Sequence, residues 1–391
     1  MFSEFLVAYY RIKRYFLDHR VAERPQFERL RERFYRQLWE DAAAEIGAKL
    51  EEFGYGYYKI SRDAAYTFVQ EAKVMLDDHL SLRMAGNKPL VHRILAERNY
   101  PVQDYLEYRL HSLGKALEFI RKTGGPCVVK PAAATGAGNG VTTKIRTLSQ
   151  LRKASWWAAT FSERLLIEKE IAGSSYRLLY LNGRFIDAVR RDPPVVVGDG
   201  KRSLKELMQS ENRKRLQAPE IIALSPLEID YECKLCLQQQ GYSLGYRPGA
   251  GEKIALKTVV NQNTAAENES VRQIVHPSTI KIGAEIADLF KLKLVGVDLI
   301  TPDITRPLAE VGGVINEINT NPGLHHHYLI KNKSENAGVA GAILEYILSR
   351  HRAFALFIVP LNANVFQSLC ALSWVHYFFL APLIHKEMSE A

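Results

Sequence analysis

From Pro25 to Leu50, apolar residues return at every third or fourth position (Phe27, Leu30, Phe34, Leu38), the period of one buried helix face. Gly54 and Gly56 end that pattern, and Tyr57–Ile60 and Tyr66–Val69 then predict two short strands. A second helical stretch, Pro89–Arg98, stops at Pro101, and a third, Ser112–Thr123, stops at Gly124-Gly125. Strands are predicted at Cys127–Pro131, Val141–Ile145, Arg164–Glu168, Tyr176–Leu181, Phe185–Val189, Leu294–Ile300 and Val314–Asn319. Helices are predicted near Thr147–Ala158, Ser203–Asn212, Pro277–Phe290 and Asn336–Ser349. Hairpin signals such as Asn182-Gly183 separate neighbouring strands, so the pattern predicts an α+β protein and not a strict βαβ alternation.

The last segment has a different pattern. Between Arg352 and His385 there is no Asp, Glu, Lys or Arg, and Val365–Ile384 matches the length of about 20 residues that spans a bilayer. Pro360 and Pro382 break the wider stretch, and Gln367, Ser368, Ser373 and His376 lie within it. The favoured reading is a pair of apolar helices packed on the protein body or at an interface between copies. The alternative is membrane or protein contact through residues 353–384. Three units are therefore expected: a small α+β domain over 1–82, a larger one over 83–350, and an apolar, helical extension over 351–391.

Composition narrows the function classes. The 391 residues are 47% hydrophobic and 24% charged, which excludes wholesale disorder. Four cysteines (Cys127, Cys233, Cys236, Cys370) are too few for a disulfide-stapled scaffold. No export signal is read in the first ten residues, so a reducing, cytoplasmic setting is expected. The net charge of +9 is spread along the chain with no aromatic-interleaved basic block, which argues against nucleic acid and suits a nucleotide with an anionic substrate.

Two constellations carry chemistry. Val128-Val129-Lys130-Pro131 is an apolar strand ending in a lysine, and Gly136, Gly138 and Gly140 follow at alternate positions. Glycines let backbone N–H groups close on phosphate oxygens, and the lysine adds a point charge; a plain hairpin turn is the alternative. The spacing is neither a Walker A loop nor a dinucleotide fingerprint, since no helix opens after it. The second constellation is Asp298 in Val295–Ile300 with Glu317 and Asn319 in Val314–Asn319. Residues i and i+2 of a strand share a face, so Glu317 and Asn319 point together. Two carboxylates and an amide oxygen in otherwise apolar strands suit Mg2+ shared with nucleotide phosphates; solvent-facing polar residues are the alternative.

The order of strand-Lys-Pro, glycine loop, Glu168-Lys169-Glu170-Ile171-Ala172-Gly173, Tyr176-Arg177-Leu178-Leu179, Gly296-Val297-Asp298 and Asn316-Glu317-Ile318-Asn319-Thr320-Asn321-Pro322-Gly323 resembles the ATP-grasp superfamily. Arg190-Arg191-Asp192-Pro193 and Thr301–Leu308 are similar to the ATP-grasp domain of the cyanophycin synthetases, over about Arg83–Ser349. The Mur-ligase-like domain that follows in that group finds no counterpart here, so a single-step ligase is expected. The resemblance implies an ATP-grasp fold, with a lid over about 116–171 and a metal-binding subdomain over about 172–350. It implies that Lys88 and Lys130 bind ATP phosphates under the loop Gly136–Gly140, and that Glu168 and the backbone around Ile171 hold adenine. Ser175 stands where relatives carry an acid that meets the ribose, and Glu170 is the substitute. Asp298, Glu317 and Asn319 would hold two Mg2+, with Mn2+ as the other candidate ion. Arg177 and one of Arg190 or Arg191 would face an acyl phosphate.

The function implied is ATP-dependent amide or peptide bond formation between a carboxylate and an amine, with amino acids or short peptides as substrates and ADP and phosphate released. A D-alanine–D-alanine-type dipeptide ligase is the alternative within enzymes. The alternative outside them is a nucleotide-binding scaffold docked through the apolar tail; a homo-oligomer is left open. Cys233-Lys234-Leu235-Cys236 is read as two reduced structural cysteines in an insertion, Arg202–Gly251. His325-His326-His327 is read as a polar loop, with substrate contact by His325 or His327 as the alternative. Asn261-Gln262-Asn263-Thr264 sits where relatives have a polar loop near substrate.

Overall fold

The computed structural model describes residues 5–12, 24–133 and 138–357. Gly136, Cys370 and most of the apolar tail (residues 358–391) lie outside the described residues. Among the described residues, no helix is long and apolar enough to cross a membrane.

The chain is α+β, as its pattern predicts. Helix α1 (Arg24–Glu45) buries Phe27, Leu30, Tyr35, Leu38, Trp39, Ala42 and Ala43, one face at helical spacing. A four-stranded antiparallel meander follows: β1 (Lys49–Gly54), β2 (Tyr57–Arg62), β3 (Ala65–Gln70) and β4 (Lys73–Val74). These elements share their core with α10 (Val339–Phe357), through Ile343, Leu344 and Ile347, and with Leu179, Leu181 and Leu294 of a later sheet. The first unit is therefore built onto the rest of the molecule.

Two short helices, α2 (His79–Ala85) and α3 (Lys88–Glu97), come next. Asn87 caps α3, accepting from the Leu90 N–H, and Pro89 opens its first turn. The second sheet has the order β5-β8-β6-β7: β5 (Tyr105–Tyr108), β6 (Cys127–Pro131), β7 (Thr142–Ile145) and β8 (Leu165–Lys169). Helices α4 (Leu113–Thr123) and α5 (Leu148–Ala159) cover it around a core that includes Val129, Ile145, Leu151 and Ile167.

The third sheet has the order β13-β10-β9-β14-β15 and is antiparallel throughout: β9 (Ser174–Leu181), β10 (Arg184–Arg191), β13 (Asn268–Ser270), β14 (Leu294–Thr301) and β15 (Val314–Asn319). Helix α8 (Pro277–Leu289) packs on it, and the short helix α9 (Leu308–Val311) leads from β14 to β15. Between β10 and β13 a smaller unit forms its own core from α6 (Leu204–Gln217), α7 (Tyr231–Gln239) and the hairpin of β11 (Val195–Val197) with β12 (Lys253–Ala255). Cys233 and Cys236 lie buried and unoxidised on α7.

The chain crosses from the second sheet to the third at Gly173. Its φ of +139° suits glycine, and a Cβ there would run into the Thr301 carbonyl. The crossing therefore lies hard against the end of β14.

Candidate active site

The register of the third sheet assembles the centre. Asp298 on β14 stands opposite Arg177 on β9 and opposite Glu317 on β15, so the three side chains share one row and one face. Arg177 donates to Asp298 through Nε (2.7 Å to Oδ1) and Nη2 (2.8 Å to Oδ2), and Arg191 Nη2 donates to Oδ2 at 2.8 Å. All three residues are buried. Burial pushes the Asp298 carboxyl upward, but the two guanidiniums outweigh it and hold the group below its ordinary range. Arg191, desolvated and beside Arg177, is brought down to about 10. Gly296 leaves room for this arrangement, since a Cβ there would press on Pro322, Arg177 and Asn319.

Lys88, at the start of α3, reaches Glu317 Oε1 at 2.9 Å. One turn further along the same helix, His92 Nε2 lies 3.1 Å from Glu168 Oε1 on β8. Glu168 also accepts from Gln103 Nε2 at 3.0 Å and pairs with Lys130 Nζ at 2.7 Å. Burial raises its pKa, but Lys130 and His92 bring it down to about 2, so it stays ionised. Gln103 Nε2 lies 3.2 Å from Asn316 Oδ1 on β15. Helix α3 and Gln103 thus tie β8 of the second sheet and β15 of the third into one polar centre.

The remaining predicted residues fall around it. Gly138 and Gly140 turn with φ of +68° and +77° ahead of β7. Glu170 and Ile171 follow β8, and Glu170 Oε2 accepts from the Lys144 N–H at 2.8 Å. Arg190 points away from the row: it pairs with Glu269 (2.9 Å) and Asp192 (3.2 Å), while Arg191 reaches Asp298. Successive strand residues face opposite ways, so only one of these two neighbours can join the centre. Asn319 lies on the same face as Glu317, with its amide beside the Asp298 carboxylate.

Sequence reading did not find His92, Gln103, Asn316 or Tyr35. His92 had a usable signal, its i+4 spacing from Lys88. Tyr35 of α1 lies 2.9 Å, Oη to Nδ1, from His325 in the turn that follows Pro322-Gly323. Further along that turn, His327 Nδ1 lies 2.7 Å from Asp187 Oδ2, both fully buried.

The oxygen set of Asp298, Glu317 and Asn319 fits a hard divalent cation. Glu317 engages Lys88 through one carboxylate oxygen, which leaves the other for a ligand, and Asn319 brings an amide oxygen on the same face. Among the described residues, no cluster of three or more His, Cys, Asp or Glu side chains is placed to hold a metal ion, so an amide oxygen would have to complete the set. Around it, the cations Lys88, Arg177 and Arg191 outnumber the carboxylates Asp298 and Glu317, a balance that suits an anionic ligand such as a polyphosphate.

No protein-family profile matches the chain. The chain is similar to cyanophycin synthetase of Trichormus variabilis, 28% identical over 288 residues that make up 73% of this chain and 31% of that protein. It is also similar to the glutathione biosynthesis bifunctional protein of Streptococcus agalactiae, 28% identical over 281 residues, 69% of this chain and 37% of that one. The chain therefore spans about a third of the length of the curated relatives it matches. Among solved structures, a bifunctional glutathione synthetase from Pasteurella multocida aligns at 20% identity with a TM-score of 0.49, over 80% of this chain and 43% of that one.

Proposed function

We propose that this chain is an ATP-grasp carboxylate–amine ligase, which joins an amino acid or short peptide to an amine and releases ADP and phosphate. The observation that carries this reading is the row Arg177–Asp298–Glu317, with Arg191 and Lys88 closing on it from β10 and α3. The similarity to cyanophycin synthetase over most of the chain supports it.

In this reading a substrate carboxylate oxygen attacks the γ-phosphorus, the bond to the β-phosphate oxygen breaks, and ADP leaves. The amine nitrogen then attacks the acyl carbon, phosphate departs with the C–O electron pair, and one proton is lost from nitrogen. The protein's part is to bring together two anions that repel each other and to spread the charge of the transition state. Arg177 and Arg191 are fixed by Asp298 for that task, so their guanidiniums need no rearrangement when the acyl phosphate forms. Lys88 and Lys130 hold the phosphate chain, with Gly136, Gly138 and Gly140 supplying backbone N–H groups. Glu168, ionised and held by His92, Gln103 and Lys130, faces the adenine beside the Ile171 backbone, and Glu170 serves the ribose. Mg2+, as two ions or replaced by Mn2+, when held by Asp298, Glu317 and Asn319, would neutralise the polyphosphate and polarise the γ-phosphoryl group.

The test is ADP and phosphate release from Mg-ATP with paired amino acids and dipeptides, with mass spectrometry of the products. ADP formation that needs one acid and one amine, with a product lighter than their sum by one water, supports the reading. ATP binding with no turnover for any pair goes against it.

A further inference from the structure

Helix α7 of the small unit is packed on two sides. Cys233 and Leu237 lie in the unit's own core, whereas Tyr231 and Leu235, a second stripe at the same spacing, pack against the core of the second sheet. The unit is therefore seated on the layer that carries Lys130. Polar contacts reinforce the seat. Thr143 of β7 and Thr258, in the chain that leaves β12, share a hydroxyl hydrogen bond of 2.5 Å, and Gln239 Nε2 donates to the Lys144 carbonyl at 3.4 Å. The same stretch reaches the glycine loop. A Cβ on Gly138 would lie 3.2 Å from Asn261 Nδ2 and 3.7 Å from Val259 Cβ, so the backbone at Gly138 rests directly on it.

Glu232 anchors that stretch. It is buried, and its Oε1 accepts from the Thr258 N–H at 2.7 Å, the Thr258 hydroxyl at 2.9 Å and the Val259 N–H at 3.4 Å. Because the Thr258 hydroxyl donates to Glu232, it accepts from Thr143, and the chain of donors runs from Thr143 through Thr258 to Glu232. Glu232 Oε2 is buried and makes no hydrogen bond. Around this carboxyl stand Asp230, Cys233 and Cys236 on α7 and Lys257 after β12, with Lys144 of β7 acting on Cys236. Burial pushes Glu232 up to about 7 against the pull of Lys257, so the anchor changes charge near neutral pH.

We propose that Glu232 is a positioning residue for nucleotide binding: through Thr258 and Val259 it sets the glycine loop on the phosphate chain. The inference rests on the ligase reading, which puts ATP phosphates under Gly138 and Gly140. It goes beyond that reading, because the control lies in the small unit, away from the row around Asp298. The grip is firmest when the carboxylate is ionised, since a charged acceptor holds N–H and O–H groups about twice as strongly as a neutral one. Ionisation therefore stiffens the hydroxyl chain that joins α7 to β7 and keeps Val259 against the loop. Protonation weakens those bonds and frees Thr258 to shift, with Val259 behind it.

The test is the affinity of the full chain for Mg-ATP, read by equilibrium binding without acid or amine at pH 6 and pH 8. The wild type is expected to bind roughly fivefold tighter at pH 8, beyond any change in Glu232→Gln, which keeps the acceptor oxygen and cannot ionise. Thr143→Val and Thr258→Val should each weaken binding at pH 8 by roughly fivefold. The double variant should lose no more than either alone, because the two share one bond. A glutamine variant with the wild-type pH profile, threonine variants that bind as the wild type does, or losses that add, overturn the inference. A merely structural Glu232 would move the melting temperature and leave the pH profile of binding untouched. Wild-type binding that ignores all these variants removes the inference and leaves the ligase reading standing. No Mg-ATP binding at either pH overturns the nucleotide part of that reading together with the inference.

Discussion

Lys88 and His92, one turn apart on α3, hold carboxylates that belong to different sheets: Glu317 on β15 and Glu168 on β8. A single helix face therefore sets the distance between the centre of the third sheet and the buried acid of the second. The pairing also separates two kinds of carboxylate. Glu168 is enclosed, while Glu317 keeps 30% of its side chain exposed and has an oxygen to spare.

Glu317→Gln should stop ligation and leave the fold intact. The substitution keeps the volume and removes one charge from a partly exposed site, so the melting temperature should stay within a few degrees. Turnover should fall roughly 10²-fold or more, as for loss of one electrostatic contact in a reaction centre. ADP release and a thermal melt, measured side by side, check both halves.

Asp298→Asn should behave differently. Removing the carboxylate that Arg177 and Arg191 share leaves two buried guanidiniums beside each other, and breaking a buried pair costs about 3–5 kcal/mol. Denaturant unfolding should register that loss, so activity alone would not report the chemical role of Asp298.

Glu232 on α7 sets a pH dependence away from the centre. Burial pushes its carboxyl from 4.5 up to about 7, against the pull of Lys257, with Asp230, Thr258 and Cys233 also facing it. The raised value means the folded chain holds a proton that the unfolded chain releases. That contribution to stability is full below about pH 4.5 and is lost as pH rises through 7. Glu232→Gln should be nearly neutral at pH 5 and stabilising at pH 8, by on the order of 2 kcal/mol. Lys257 keeps Asp230 at 2.5 Å in either case. Equal pH profiles in urea unfolding would contradict this.

Gly173→Ala should destabilise by about 2 kcal/mol or more, because the left-handed φ and the contact with the Thr301 carbonyl act together. Gly183, also at positive φ but in open space, is the control, and alanine there should cost less.

Much of this was legible in the chain. The α+β pattern, the buried stripe of α1 and the strands bearing Lys130, Asp298 and Glu317 follow from periodicity, because each element shows its own face in its spacing. Arg190 and Arg191 mark where that reading runs out. Alternation says that they point apart, but only the packing of β10 between β9 and β13 decides which one meets Asp298. Gln103 lies in an irregular stretch with no periodic signal. Tyr35 reads as one more core aromatic, since nothing on α1 announces a histidine 290 residues away. The cysteine pair is legible too: on α7 the two stand three apart, Cys233 in the small core and Cys236 with its Sγ 3.7 Å from the Ala255 carbonyl of β12.

The core that α1 shares with α10 has a consequence for the order of synthesis. Trp39 is fully buried against a cluster that includes Ile343 and Leu344, which leave the ribosome about 300 residues later. At roughly 5–20 residues per second, the apolar face of α1 waits about 15–60 seconds for its partners. During that interval Phe27, Leu30 and Trp39 are uncovered beside a meander that can already form. The nascent chain should therefore depend on a holding chaperone, and the helix face bearing Tyr35 should reach its place only after the rest of the centre has folded.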